Sequence, residues 1–142
     1  MVINWQTKAC TQLTLAWLAA IVFACGTLQS HPGYKIVSIS SINQLTGKWE
    51  GLSKRLPDMQ DDAWVILIVS ENGHFNFASN RATQLLLGTG TLRIHDGEAF
   101  GKTGTGSGTL TLHNKAGKPL LVVEVSLNDG HHYYLEMTRL TD

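Results

Sequence analysis

Six histidines are the first residues in this chain that could do chemistry, because imidazole is the commonest protein ligand for transition metals. His131 and His132 are consecutive on a predicted strand, so their side chains point to opposite faces and cannot bind one ion together. His74, His95 and His113 lie near predicted strand ends, far apart along the chain. No cysteine assists them, and no His-x-His or His-Glu-x-x-His spacing occurs. We therefore expect solvated turn histidines, with no metal and no other cofactor.

Three further motifs lack the surroundings that their chemistry needs. Gly101-Lys102-Thr103 resembles the end of a phosphate-binding loop, but no helix follows it to supply a positive N-terminus. Gly106-Ser107-Gly108 lies in a predicted hairpin, where the strained turn of a serine nucleophile is not expected. The acidic loop with Asp58, Asp61 and Asp62 lacks the mid-loop glycine and distal glutamate of a calcium loop. We expect a protein that is not an enzyme.

The elements that would position these residues are short strands. After Leu45 the chain consists of apolar alternations separated by turn signals such as Asn72-Gly73 and Asp96-Gly97. The strongest strand, Ala63–Ser70, has apolar residues on both faces. Eight or nine strands at intervals of about 8–12 residues indicate a sandwich or barrel. Because nearly every connection is a hairpin, we predict an all-β, eight-stranded, up-and-down antiparallel barrel.

Alternation along the predicted strands assigns an apolar interior. Phe75, Phe77, Tyr133 and Met137 would point inward and line any pocket that the barrel contains. The alternative is that these side chains simply fill the barrel, as they do in small eight-stranded barrels.

The N-terminal segment carries the strongest signal of location. Leu13–Cys25 is an apolar run that follows a short polar start with one cation, Lys8, which is the layout of an export signal. We predict three parts: an export signal or membrane-anchor helix over 1–25, a tether over 26–41 and a barrel domain over 42–142. The tether could be extended or could contribute an initial strand through Tyr34 to Ile39. The 142-residue chain has no net formal charge, so as a whole it lacks the basic footprint expected of proteins that bind nucleic acid or anionic membrane surfaces.

Val22-Phe23-Ala24-Cys25-Gly26 resembles the signal of bacterial lipoproteins. The resemblance implies that Cys25 becomes the first mature residue and carries lipid, and that Gly26 after it favours the outer membrane. Two alternatives remain: a cleaved, soluble periplasmic protein and a retained membrane helix, since the run extended from Ala9 to Leu28 nearly reaches a spanning length.

Leu45-Thr46-Gly47-Lys48-Trp49-Glu50-Gly51 contains a Gly-x-Trp motif at the first strand of the meander. It resembles the lipocalins, and most of all the small bacterial lipocalin-like domains. The resemblance implies that Trp49 closes one barrel end while Arg139, from the last strand, packs across it. It also implies an extracytoplasmic, non-enzymatic envelope protein that binds a small apolar or amphipathic molecule. The alternative is an accessory subunit of a membrane or envelope complex with a filled barrel.

Overall fold

The computed structural model describes residues 33–79 and 88–141, and this part of the chain is all-β, as predicted. It forms ten strands and one 3-10 turn, Ile42–Gln44. The strands are β1 (Tyr34–Val37), β2 (Gly47–Arg55), β3 (Gln60–Val69), β4 (His74–Ser79), β5 (Gly88–Thr91), β6 (Arg93–His95), β7 (Glu98–Lys102), β8 (Gly106–Lys115), β9 (Lys118–Leu127) and β10 (His132–Arg139). The predicted N-terminal helix and Cys25 lie outside the described residues.

The strands form a nearly closed antiparallel barrel. From β2 to β10 each strand pairs with its neighbour in sequence, except that β5 and β6 do not pair. β10 also pairs with β2, which gives the order β5-β4-β3-β2-β10-β9-β8-β7-β6. The two ends of this sheet, β5 and β6, are consecutive in the chain and are separated only by Leu92. One extended segment, 88–95, therefore pairs with β4 through its first half and with β7 through its second half.

The prediction of eight strands was wrong, for two physical reasons. First, the segment 88–95 is interrupted at Leu92, which is buried and whose N–H donates to the Gly73 carbonyl in the β3–β4 turn instead of to a strand. Second, four residues of the predicted tether form β1, which pairs with β8 beyond the point where β7 ends. The count is nine if the interrupted segment is taken as one strand and ten if it is taken as two.

Side chains alternate between the barrel interior and the outer surface along every long strand. The β2 and β10 patterns show the period of two most clearly, with Trp49, Leu135 and Met137 among the inward residues. The interior is one continuous apolar cluster. Its largest fully buried members are Trp49, Ile39, Leu45, Leu67, Leu121, Leu135 and Met137.

One buried polar side chain, that of Ser53, supplies hydrogen bonds where the pairing of β2 with β3 is irregular. The register between β2 and β3 shifts at Ser53, which is fully buried. The Ser53 hydroxyl donates to the Ala63 carbonyl over 2.9 Å and accepts from the Ala63 N–H over 3.0 Å. Both main-chain groups of Ala63 are thus satisfied where the strand ladder is irregular.

Candidate functional site

Trp49 and Arg139 lie together at one end of the barrel, which we call the closed end. They are direct cross-strand partners on β2 and β10. The Arg139 guanidinium carbon lies 4.6 Å from the centre of the Trp49 ring system, and the indole N–H donates to the Leu45 carbonyl over 2.7 Å. The Arg139 Nη2 donates to the Gln44 carbonyl over 2.6 Å. One guanidinium therefore joins the last strand, the first barrel strand and the 3-10 turn.

The 3-10 turn is held over the closed end by its own side chains. The Gln44 side-chain carbonyl accepts from the backbone N–H groups of Ser40 and Ser41, and its amide donates to the Ser38 carbonyl. Leu45 follows the turn and is fully buried. These contacts hold the 3-10 turn across this end of the barrel, and the buried Leu45 side chain fills it. A ligand therefore cannot enter the barrel there.

The barrel interior is nearly full. Phe75 and Phe77 line a cavity of about 30 Å³, together with Leu67, Leu110, Val123 and Val125. Tyr133 and Met137, the other two predicted lining residues, are buried in the same core but are not among the residues around this cavity. A volume of about 30 Å³ corresponds to roughly one or two water molecules.

Glycines are the reason that the interior is so tightly filled around Phe75. A Cβ atom on Gly101 would lie 3.0 Å from the Phe75 ring and 3.1 Å from Leu92. A Cβ on Gly90 would lie 2.7 Å from the same ring and would collide with the Lys102 carbonyl. Because both residues lack a side chain, the β5 and β7 backbones lie directly against the aromatic ring.

The outer surface of β3 carries a feature that our sequence analysis did not interpret as a site. Trp64, Ile66 and Ile68 alternate with the buried residues of β3 and therefore point outward. Trp64 is 42% exposed and Ile68 is 46% exposed. Leu52 pairs with Trp64 and Ala78 pairs with Ile66, which widens the apolar surface over three strands. We call these five residues, Leu52, Trp64, Ile66, Ile68 and Ala78, the outer strip. The sequence signal for it is that the strand Ala63–Ser70 is apolar on both faces.

The surroundings of the outer strip are polar and concave. Lys48 and Asn76 are the cross-strand partners of Ile68, and Glu50 is the partner of Ile66. An open groove of about 480 Å³ begins at Ile68 and continues over the outer faces of β4 and β5. An apolar centre with a polar rim is the usual composition of a protein–protein contact surface.

Tyr134 and His113 lie on the outer surface, and the pKa values of both are shifted. Burial, and then the charge and hydrogen bond of Glu136, raise the pKa of Tyr134, whose hydroxyl donates to the Glu136 carboxylate over 3.0 Å. Burial lowers the pKa of His113, and nearby Glu136 opposes that shift in part. His113 also lies 3.1 Å from the Thr111 hydroxyl.

Residues 33–79 and 88–141 contain no cluster of three or more His, Cys, Asp or Glu side chains placed to hold a metal ion. Over the same residues no helix has the length and apolar character needed to cross a membrane. No family model, curated protein or solved structure matches the chain.

Proposed function

We propose that this chain is a non-enzymatic envelope protein, held at a membrane by its N-terminal segment, whose filled barrel binds a partner protein through the outer strip. The apolar run Leu13–Cys25 supports the membrane location. The outer strip is the observation that carries the binding role. An antiparallel strand with one face in the core ordinarily has polar residues on its other face, whereas β3 has Trp64, Ile66 and Ile68 there.

The size of the strip fits an interaction anchor. Trp64 and Ile68 are four residues apart on an extended strand, which is about 13 Å. Full burial of each such side chain is worth about 1.5–3 kcal/mol. Tryptophan is enriched among the residues that dominate binding energy at protein interfaces, and the polar rim supplies orientation.

The test is co-purification from native membranes after mild solubilisation. Trp64→Thr combined with Ile68→Thr places a residue of high strand propensity at both positions while removing the apolar surface. Phe100→Thr is the matched control, because Phe100 is a similarly exposed apolar residue on β7. We expect one stoichiometric partner with the native chain and the control, and its loss with the double variant at unchanged melting temperature. Retention of that partner by the folded double variant, or a native chain that purifies alone, would contradict the proposal.

A second candidate function is binding of a small apolar molecule at the Phe75–Phe77 cavity. The apolar lining of that cavity favours it, although the present volume of about 30 Å³ requires the core to open before a lipid chain can enter. Titration with a panel of fatty acids, followed by tryptophan fluorescence, tests it. A saturable change that survives in the outer-strip double variant, measured through Trp49, would support the cavity and not the strip.

A further inference from the structure

The β8–β9 hairpin extends beyond the rest of the barrel at the closed end. Pairing of β8 with β7 stops at Leu110, and pairing of β9 with β10 stops at Leu120. The hairpin continues to the Lys115–Lys118 pair, and only β1 lies along this extension. Ala116 and Gly117 form its tip, and both have positive φ angles.

This extension and β1 form a surface that is both cationic and apolar, which we call the basic edge. Lys115 and Lys118 are cross-strand partners on its outer face, Lys35 lies on the opposite face beside Asn114, and the segments 33–38 and 112–119 contain no Asp or Glu. Ile36 is 59% exposed, and Tyr34 lies next to it with its hydroxyl accepting from Lys115 over 2.7 Å. Lysine, tyrosine and an exposed aliphatic residue are the side chains that suit an anionic membrane surface.

The basic edge is also where the chain enters the barrel. Gly33 is the first described residue and precedes β1 directly. Eight peptide units separate Cys25 from Gly33 (33 − 25 = 8), which is at most about 29 Å of extended chain. An anchor at the end of the apolar run therefore limits the distance from the membrane to the start of β1 to about 29 Å.

We infer that the barrel rests on an anionic lipid surface through the basic edge, with the closed end toward the membrane. This inference rests on the membrane location proposed above and adds the orientation and the lipid chemistry. The opposite barrel end, with the β2–β3 and β9–β10 turns, then points away from the membrane. The acidic residues Glu71, Asp96 and Glu98 lie in the other two hairpins of the closed end. Glu136 on β10 is the carboxylate whose charge acts on Lys115, so the three lysines of the basic edge outnumber it.

Lysine footprinting of the full chain tests this orientation without substitutions. The protein is reconstituted into vesicles of anionic lipid and into vesicles of zwitterionic lipid, and exposed amines are acylated and counted by mass spectrometry. Lys54 and Lys102 are internal controls, because they lie toward the opposite end, on β2 and β7. We expect acylation of Lys35, Lys115 and Lys118 to be about fivefold slower on the anionic vesicles, with the controls unchanged. Salt at about 0.5 M should remove the difference.

Flotation of the same samples separates the two proposals. A chain that floats with the vesicles but shows equal acylation in both lipids overturns the orientation and leaves the membrane location standing. Protection of Lys54 and Lys102 instead of the basic edge overturns the orientation as well. A chain that does not float overturns both.

Discussion

We expect Arg139→Met to lower the free energy of unfolding more than any other single substitution that removes an exposed or half-buried charged group. Methionine keeps most of the aliphatic stem and removes the planar, charged group. The variant loses the contact with the Trp49 ring and the hydrogen bond to the Gln44 carbonyl. The guanidinium group then no longer connects β10, β2 and the 3-10 turn.

The magnitude follows from those two contacts. A partly desolvated cation–π contact contributes about 1–2 kcal/mol, and a hydrogen bond to a charged donor about 1.5–3 kcal/mol. The buried Nε of Arg139 has no partner, so its removal returns about 1 kcal/mol of desolvation cost. The net loss is about 2–4 kcal/mol, which lowers the melting temperature of a domain of this size by about 10–25 °C.

The assay is equilibrium denaturation of the purified chain, followed by circular dichroism and tryptophan fluorescence. Arg93→Met is the matched control, because Arg93 is an exposed arginine on β6 and should change stability by less than about 0.5 kcal/mol. Arg139→Lys keeps the charge but not the planar fork, so its stability should fall between the native chain and Arg139→Met. If Arg139→Met is as stable as the control, the guanidinium does not hold the closed end, and our account of that end is wrong.

Three further predictions concern the core and the outer surface. Ser53→Ala should cost about 1–3 kcal/mol by chemical denaturation, because both buried main-chain groups of Ala63 lose their partner. Gly101→Ala should cost about 1–3 kcal/mol because its methyl group meets the Phe75 ring, and Phe75→Leu should recover part of that loss in a double-mutant cycle. The raised pKa of Tyr134 stabilises the folded state below about pH 10, the ordinary tyrosine value, and this contribution falls as pH rises further, so Tyr134→Phe should flatten the loss of stability above pH 10.

Each of these has a result that would count against it. Ser107→Ala, at an exposed serine, and Gly104→Ala, where a Cβ would meet nothing within 4 Å, should both be near neutral. Equal effects at Ser53 and Ser107, or at Gly101 and Gly104, would mean that burial and close packing are not the cause. An unchanged alkaline slope in Tyr134→Phe would assign that slope to other groups.

The meander could be predicted because its signals are local. Asp96-Gly97 takes the positive φ angles of a tight two-residue turn, and the strands on either side of it pair as neighbours. The apolar alternation near Gly47–Leu52 predicts the strand that contains Trp49 in the same way. Turn chemistry and side-chain alternation act over a few residues, and a single sequence displays them directly.

The features that escaped prediction depend on contacts between distant segments. The interruption at Leu92 exists because this residue turns into the core and its N–H bonds to the β3–β4 turn. A strand from Tyr34 to Ile39 was one of two alternatives for the tether, and the sequence alone did not give its partner, because β1 pairs with the part of β8 that β7 leaves free. The apolar outer face of β3 was visible in the sequence, but a buried strand and an exposed binding strand have the same pattern, so only the three-dimensional arrangement distinguishes them.

Pairing of β2 with β10 has a consequence for how the nascent chain folds. Trp49, near the start of β2, pairs with Arg139, near the end of β10, and the Leu140 N–H donates to the Lys48 carbonyl. While the chain is being synthesised or threaded through a pore, β2 has no partner on this side until the last strand emerges. A nascent chain therefore exposes an unpaired strand edge for most of its synthesis, and we expect it to depend on holding chaperones until β10 is released.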